Sequence, residues 1–305
     1  MVSARSRAAI AKYRLTRRKR IFADPDELRR SAESQRAESA QLPNWLRAEH
    51  TVEEREVLGH LCYTLRPHHP SSSKHILYLH GGAYVHQIEG AHWRFLSRLV
   101  DRTGATISVP LYPLAPTYQY DTTLAMVWET YTSTVGAEEP GNQVLMGDSA
   151  GGALSLFLAQ RLKARGWAQP SRVVLISPWL DITVTDPAIS DLDRVDPYLG
   201  VEGLREAGRL YAGDLDPHDP RVSPLYGELE GLAPLGVFTG TRDILLADAR
   251  RLRDLADHRD VDIDYEEYPG MFHGWILLDL PEAREAIGRV AALLDEPQPE
   301  KATRR

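Results

Sequence analysis

Val144-Leu145-Met146-Gly147-Asp148-Ser149-Ala150-Gly151-Gly152 decides how this chain is read. The apolar run ending at Met146 predicts a buried strand, and the stretch from Ala150 to Arg165 predicts a helix. Between them lies a Gly-x-Ser-x-Gly turn. A strand that passes into a helix over so few residues must bend sharply. Side chains two positions either side of the serine would collide across that bend, which is why Gly147 and Gly151 stand there. The turn lifts the Ser149 hydroxyl above the sheet edge, and the following helix aims its positive end at any anion formed there. A glycine-rich turn with an incidental serine would need neither the strand before nor the helix after. Ser149 is the candidate nucleophile.

Outward from this turn, β-rich runs alternate with helical ones, the pattern of a mostly parallel central sheet flanked by helices, an α/β fold. Strands are expected at 57–65, 75–80, 105–110, 144–147, 173–177, 236–240 and 261–268. The His75–Leu79 and Val173–Ile176 runs are apolar on both faces, as central strands should be. Helices are expected at 91–102, 123–134, 150–165 and 247–258. The polar, helical residues 1–55 and the Asp/Pro/Gly-rich excursion 181–220, with one short helical run near 203–210, stand outside the sheet. An excursion of that length is usually a lid over a site. The core is then 56–180 plus 221–295, and the polar tail 296–305 is expected to be disordered.

A serine alcohol needs a base to take its proton, and the anion formed on a carbonyl needs preorganised N–H donors. Leu79-His80-Gly81-Gly82-Ala83-Tyr84 ends a buried strand upstream, where paired glycines allow close backbone approach. Donors are assigned to the backbone of Gly81, Gly82 and Ala150. Of the histidines downstream of Ser149, His258 sits in a polar helix and His218 in the excursion. His273 directly follows the last strand and is the candidate base. Asp243 follows the strand before it and is the candidate acid that orients the imidazole. Its rival Asp248 falls within the next helix. Tyr84, Trp179, Tyr198, Met271 and Trp275 flank these motifs or lie in the excursion, and are candidate pocket walls.

Composition narrows the class. The chain has 305 residues, 43% hydrophobic and 26% charged, with a formal charge of −7. No apolar run approaches the roughly 20 residues needed to span a bilayer. The single cysteine, Cys62, excludes an internal disulfide and points to a reducing cytoplasm. Its strand-like surroundings mark it as a small core residue. The first twenty residues carry Arg5, Arg7, Lys12, Arg14, Arg17, Arg18, Lys19 and Arg20 and no acid. Such a start is open to weak contact with an anionic membrane surface, although a solvated helix on the protein's own surface is the simpler reading. The acidic remainder argues against nucleic acid. Homodimerisation is left open.

Taken together, these segments resemble the hormone-sensitive-lipase family of bacterial esterases, in the branch with a G-D-S-A-G-G elbow. Val109-Pro110-Leu111-Tyr112-Pro113-Leu114-Ala115-Pro116, Ile176-Ser177-Pro178-Trp179-Leu180-Asp181 and Asp219-Pro220-Arg221-Val222-Ser223-Pro224-Leu225 are also similar to family segments. The likeness runs from about His75 to Trp275. It implies an α/β-hydrolase fold with a helical cap built from the N-terminus and the excursion. It further implies hydrolysis of small-molecule carboxylic esters of short to medium acyl length, through an acyl-serine, without metal or cofactor. Ala83 departs from the family's H-G-G-G, and Pro113 and Thr117 from its Y-R-L-A-P-E. An amidase, a formamidase or a lactone hydrolase would share the same scaffold and nucleophile. A binding protein that has lost the reaction would be expected to lack the base.

Overall fold

The computed structural model describes residues 2–35 and 42–296. Its strands are β1 (Thr51–Val57), β2 (His60–Arg66), β3 (His75–Leu79), β4 (Thr106–Pro110), β5 (Gln143–Asp148), β6 (Arg172–Ile176), β7 (Leu235–Arg242) and β8 (Ile263–Phe272). They form one sheet in the order β1-β2-β4-β3-β5-β6-β7-β8. Strand β2 runs antiparallel to both its neighbours, β1 and β4; every other pairing, from β4–β3 to β7–β8, is parallel. The chain thus has the α/β-hydrolase fold, with β3, β5 and β6 buried throughout. Strand β1 lies at one edge and carries Glu53, Glu54, Arg55 and Glu56 exposed. Charges there discourage pairing with another chain.

The helices are α1 (Ala4–Leu15), α2 (Arg20–Ala23), α3 (Pro25–Gln35), α4 (Asn44–Glu49), α5 (Gly90–Thr103), α6 (Tyr120–Ser133), α7 (Ala150–Ala164), α8 (Ile189–Val195), α9 (Val201–Ala212), α10 (Leu246–His258) and α11 (Pro281–Asp295). Apolar faces of α5 and α11 form one core layer with the sheet. Those of α6, α7 and α10 form the other. Cys62 is fully buried, and burial pushes its thiol up to about 12, so it is an inert core residue.

Three expectations change. The strand expected at 57–65 is a hairpin, because Leu58 and Gly59 both adopt positive φ and reverse the chain. Residues 1–55 do not act as one capping unit: α2 and α3 pack on α9, whereas α4 packs on β1 and α5 at the sheet edge. The excursion 181–220 carries two helices, α8 and α9, rather than one short run. Its base is fastened by Ser223, whose hydroxyl donates to Pro217 O at 2.6 Å and accepts from Ile182 N at 2.9 Å. The tail expected to be disordered at 296–305 falls, beyond Glu296, outside the described residues. Among the described residues no helix is long and apolar enough to cross a membrane.

Candidate active site

The turns after β3, β5, β7 and β8 lie at the carboxyl ends of parallel strands, where open α/β sheets place their ligands. Ser149 follows β5 with φ 53° and ψ −121°, a conformation rarely adopted by a residue with a side chain. The surroundings hold it there. Its N–H donates to Ile176 O on the next strand at 2.9 Å, and its carbonyl accepts from Trp179 N at 3.0 Å. A Cβ on Gly151 would sit 1.8 Å from Leu79 O, and one on Gly147 would sit 2.2 Å from Gly151 O. Only glycines permit so close a crossing.

His273 follows β8 and lines the same cavity as Ser149. Its Nδ1 donates to Asp243 Oδ2 at 2.9 Å, and Asp243 is completely buried after β7. The other oxygen, Oδ1, accepts from Leu245 N at 2.9 Å. Nε2 is thereby left as the proton acceptor. Burial alone would lower the imidazole's pKa, but the Asp243 carboxylate outweighs it, with help from Asp196 and Asp148, so His273 is raised. The two rival histidines are exposed: His218 is bonded to Asp216, and His258 caps the end of α10. Asp248 is a first-turn acid of α10, as its place in the sequence suggests, and it is buried, with its Oδ2 accepting from Leu180 N and Asp181 N.

The loop after β3 departs from expectation at Gly81. Its N–H donates to Asp148 Oδ1 at 2.8 Å, so it is already committed and not a free oxyanion donor. Asp148, the residue just before the serine, also accepts from Tyr78 OH at 2.6 Å and faces His92 Nε2 at 3.4 Å. His92 Nδ1 accepts from Glu89 N, which leaves its proton on the Nε2 facing Asp148. Burial would raise Asp148, but His92, Tyr78 and the Gly81 N–H together lower its pKa and hold it ionised. The loop is braced from below as well, where Tyr112 stacks on His80 at 4.2 Å and its hydroxyl donates to the His80 carbonyl. Gly82 and Ala83 line the cavity. Ala150 opens α7, so its N–H has no acceptor within the helix.

Of the five expected wall residues, only Tyr198 lines the cavity, its ring 5.9 Å from that of His273. Tyr84 stacks on Tyr211 at 3.7 Å beside Trp179, and all three are buried core. Met271 and Trp275 are fully buried in the opposite core layer. Flanking a motif in sequence placed these four beneath the site rather than in it. Further wall residues that no motif marks include Tyr13, Arg18 and Phe22 from the N-terminal segment, and Leu199 and Leu204 from the excursion. Phe22 O and the α9 backbone approach so closely that a Cβ on Gly203 would sit 2.2 Å from that oxygen. The cavity beside Ser149 is small, about 80 Å³.

Asp196 also escaped the sequence reading, where Asp196-Pro197 signals only a turn. It is buried, its Oδ1 accepts from Tyr198 N at 2.7 Å and Leu199 N at 2.9 Å, and its Oδ2 accepts from Ile244 N at 3.0 Å. One carboxyl thus fastens the roof to the loop that carries Asp243. Burial and the nearby Asp243 charge raise its pKa to about 7.

A strained serine at the end of a central parallel strand, sharing a cavity with an acid-paired histidine, defines the class as an α/β hydrolase. A family model for the alpha/beta hydrolase fold matches residues 76–277. An esterase of Acinetobacter venetianus is 33% identical over 225 residues, covering 72% of this chain and 74% of that protein. An acetyl-hydrolase of Streptomyces hygroscopicus is 32% identical over 222 residues, covering 72% and 74%. The crystal structure of an esterase from the bacterial hormone-sensitive lipase family superposes with a TM-score of 0.83 at 29% identity, covering 96% of this chain and 98% of that one. The chain belongs to this hormone-sensitive-lipase family of α/β hydrolases and is an esterase-type hydrolase.

Proposed function

We propose that the chain hydrolyses carboxylic esters with short acyl groups through an acyl-serine intermediate. Ser149 Oγ attacks the ester carbonyl while His273 Nε2 takes its proton, and Asp243 stabilises the imidazolium that results. The oxyanion accepts from the N–H groups of Gly82, Ala83 and Ala150. His273 then returns the proton to the leaving alcohol oxygen, the C–O bond breaks, and the acyl group stays on Ser149. Water repeats the sequence, losing its proton to His273, to release the acid and restore the serine. The observation that carries this reading is the Asp243–His273 bond beside a serine held in a strained turn on the same cavity. The small cavity favours an acetyl-sized acyl group.

A fluorophosphonate reacts readily only with an activated serine. Labelling of the wild-type chain, abolished in a folded Ser149→Ala variant together with hydrolysis of a p-nitrophenyl acetate, supports the proposal. Equal labelling or turnover by that variant ends it.

A further inference from the structure

Outside the catalytic cavity lies a second, wider concavity of about 750 Å³. The two adjoin, since Tyr13, Arg18, Glu89, Ala91, Tyr198 and Leu278 line both. The outer groove is strongly basic on a chain whose formal charge is −7. Its charged walls are Lys12, Arg17, Arg18, Arg20 and Arg94 against only Glu27 and Glu89. Both carboxylates are engaged, Glu27 with Arg20 at 2.8 Å and Glu89 with Arg18 at 3.6 Å. Lys12, Arg17 and Arg94 are exposed and make no ion pair among the described residues. They come from two separate parts of the chain, the N-terminal segment and α5, and converge on the mouth of one cavity.

Arg18 marks the junction. It is half-buried and held through Tyr198, whose hydroxyl accepts from Nη2 at 3.3 Å and whose ring neighbours His273. A guanidinium so placed offers donors to an anion without being free to swing away. Like charges converging on a concave mouth focus their field and raise the local concentration of an anionic ligand.

We propose that the groove selects esters bearing an anionic group, a carboxylate or phosphate, at the end remote from the scissile bond. The inference rests on the hydrolase reading above and names the substrate class of that same site. The cations line a concavity that shares its walls with the catalytic cavity, which favours a soluble substrate over a membrane surface.

The test is steady-state kinetics of the full chain on matched esters differing only in a distal carboxylate or carboxamide. The distal group is placed on the alcohol side in one series and the acyl side in another, with short to long spacers. In at least one series the anionic ester is expected to have about tenfold higher kcat/KM at low salt, mostly through KM, with the advantage falling as salt screens the groove. The combined Lys12→Gln, Arg17→Gln and Arg94→Gln variant should reduce that ratio severalfold. A control with the same charge change at Arg102, Arg165 and Arg259, which are exposed and outside the groove, should keep the wild-type ratio. Neutral esters that turn over normally with a ratio near one in both series would overturn this proposal and leave the hydrolase reading standing. Absence of both turnover and fluorophosphonate labelling would remove the hydrolase reading first. Salt-sensitive co-sedimentation with phosphatidylglycerol vesicles, lost in the triple variant while soluble esters show no preference, would overturn it in favour of a membrane surface.

Discussion

The site has a floor and a roof, and they are built by different means. The floor is the set of turns after β3, β5, β7 and β8, where backbone geometry decides everything. Ser149 is strained, Gly147 and Gly151 allow contacts no other residue would, and Asp148 and Asp243 each accept more than one hydrogen bond. The roof is α1 to α3 with the excursion, where side chains such as Phe22, Tyr198 and Leu204 meet with no turn or charge pattern to announce them. Damage to the floor should therefore reduce the rate of reaction. Damage to the roof should chiefly change which substrate is taken and how firmly the lid holds.

The largest expected effect is on the floor. Asp243→Asn keeps the shape but loses the charge that stabilises the imidazolium, so kcat should fall by about 10³–10⁴. The same variant tests the pH dependence. His273 must be neutral to accept a proton, so activity is lost as pH falls, and its raised pKa places that loss above the ordinary imidazole value of about 6.5. Removing the Asp243 charge should move the acidic limb of the kcat/KM profile downward. An unmoved limb would mean that another group titrates.

Next is Gly82→Ala. Gly82 has φ 126°, and a Cβ would sit 2.3 Å from His86 O, so the loop must shift its N–H donors. Stopped-flow acylation should slow by about 10²–10³, the usual loss for one oxyanion donor. A near-wild-type rate would remove the loop from the oxyanion site.

The seam between the two regions comes third. Asp196→Asn presents an NH₂ group toward at least one N–H it formerly satisfied, at a cost of about 1–3 kcal/mol in denaturant unfolding. The kcat should fall roughly tenfold, with KM raised as the Tyr198–Leu199 wall loosens. Alteration of unfolding alone, with kcat and KM unchanged, would make Asp196 purely structural.

The smallest catalytic effect is expected in the roof. Leu204 is fully buried yet borders the cavity, so Leu204→Ala should cost about 2–5 kcal/mol of stability. It should shift acyl preference toward longer chains by only a few-fold. A loss of rate comparable to that in the floor variants would erase the distinction between the regions.

The same contrast explains what could be read before any coordinates. Turn chemistry is local, so Gly-x-Ser-x-Gly, the acid after β7 and the histidine after β8 are all visible in sequence. Gly81 shows the limit of such reading. Paired glycines mark a loop that approaches a substrate, but not that Asp148, sixty-seven residues later, has already taken the first N–H. Roof residues are marked by nothing local, because Arg18 reaches Tyr198 across 180 positions and Asp196 reaches Ile244 across 48. Tyr84, Trp179, Met271 and Trp275 were misplaced for a related reason: an aromatic or sulfur-bearing side chain beside a catalytic turn packs into the core as readily as it lines a pocket. The Leu58-Gly59 reversal was hidden because the residues on both sides have strand character.

The central claim, that Ser149 carries the acyl group, is tested most directly by trapping it. The wild-type chain is mixed with an activated acetate ester, quenched in acid within the first turnover, digested and read by mass spectrometry. One acetyl group on the peptide containing Ser149, absent from Ser149→Ala and long-lived in Asp243→Asn, is the expected result. Steady hydrolysis with no acetyl group on that peptide, or an acetyl group on another residue that turns over at the rate of the reaction, would contradict the account.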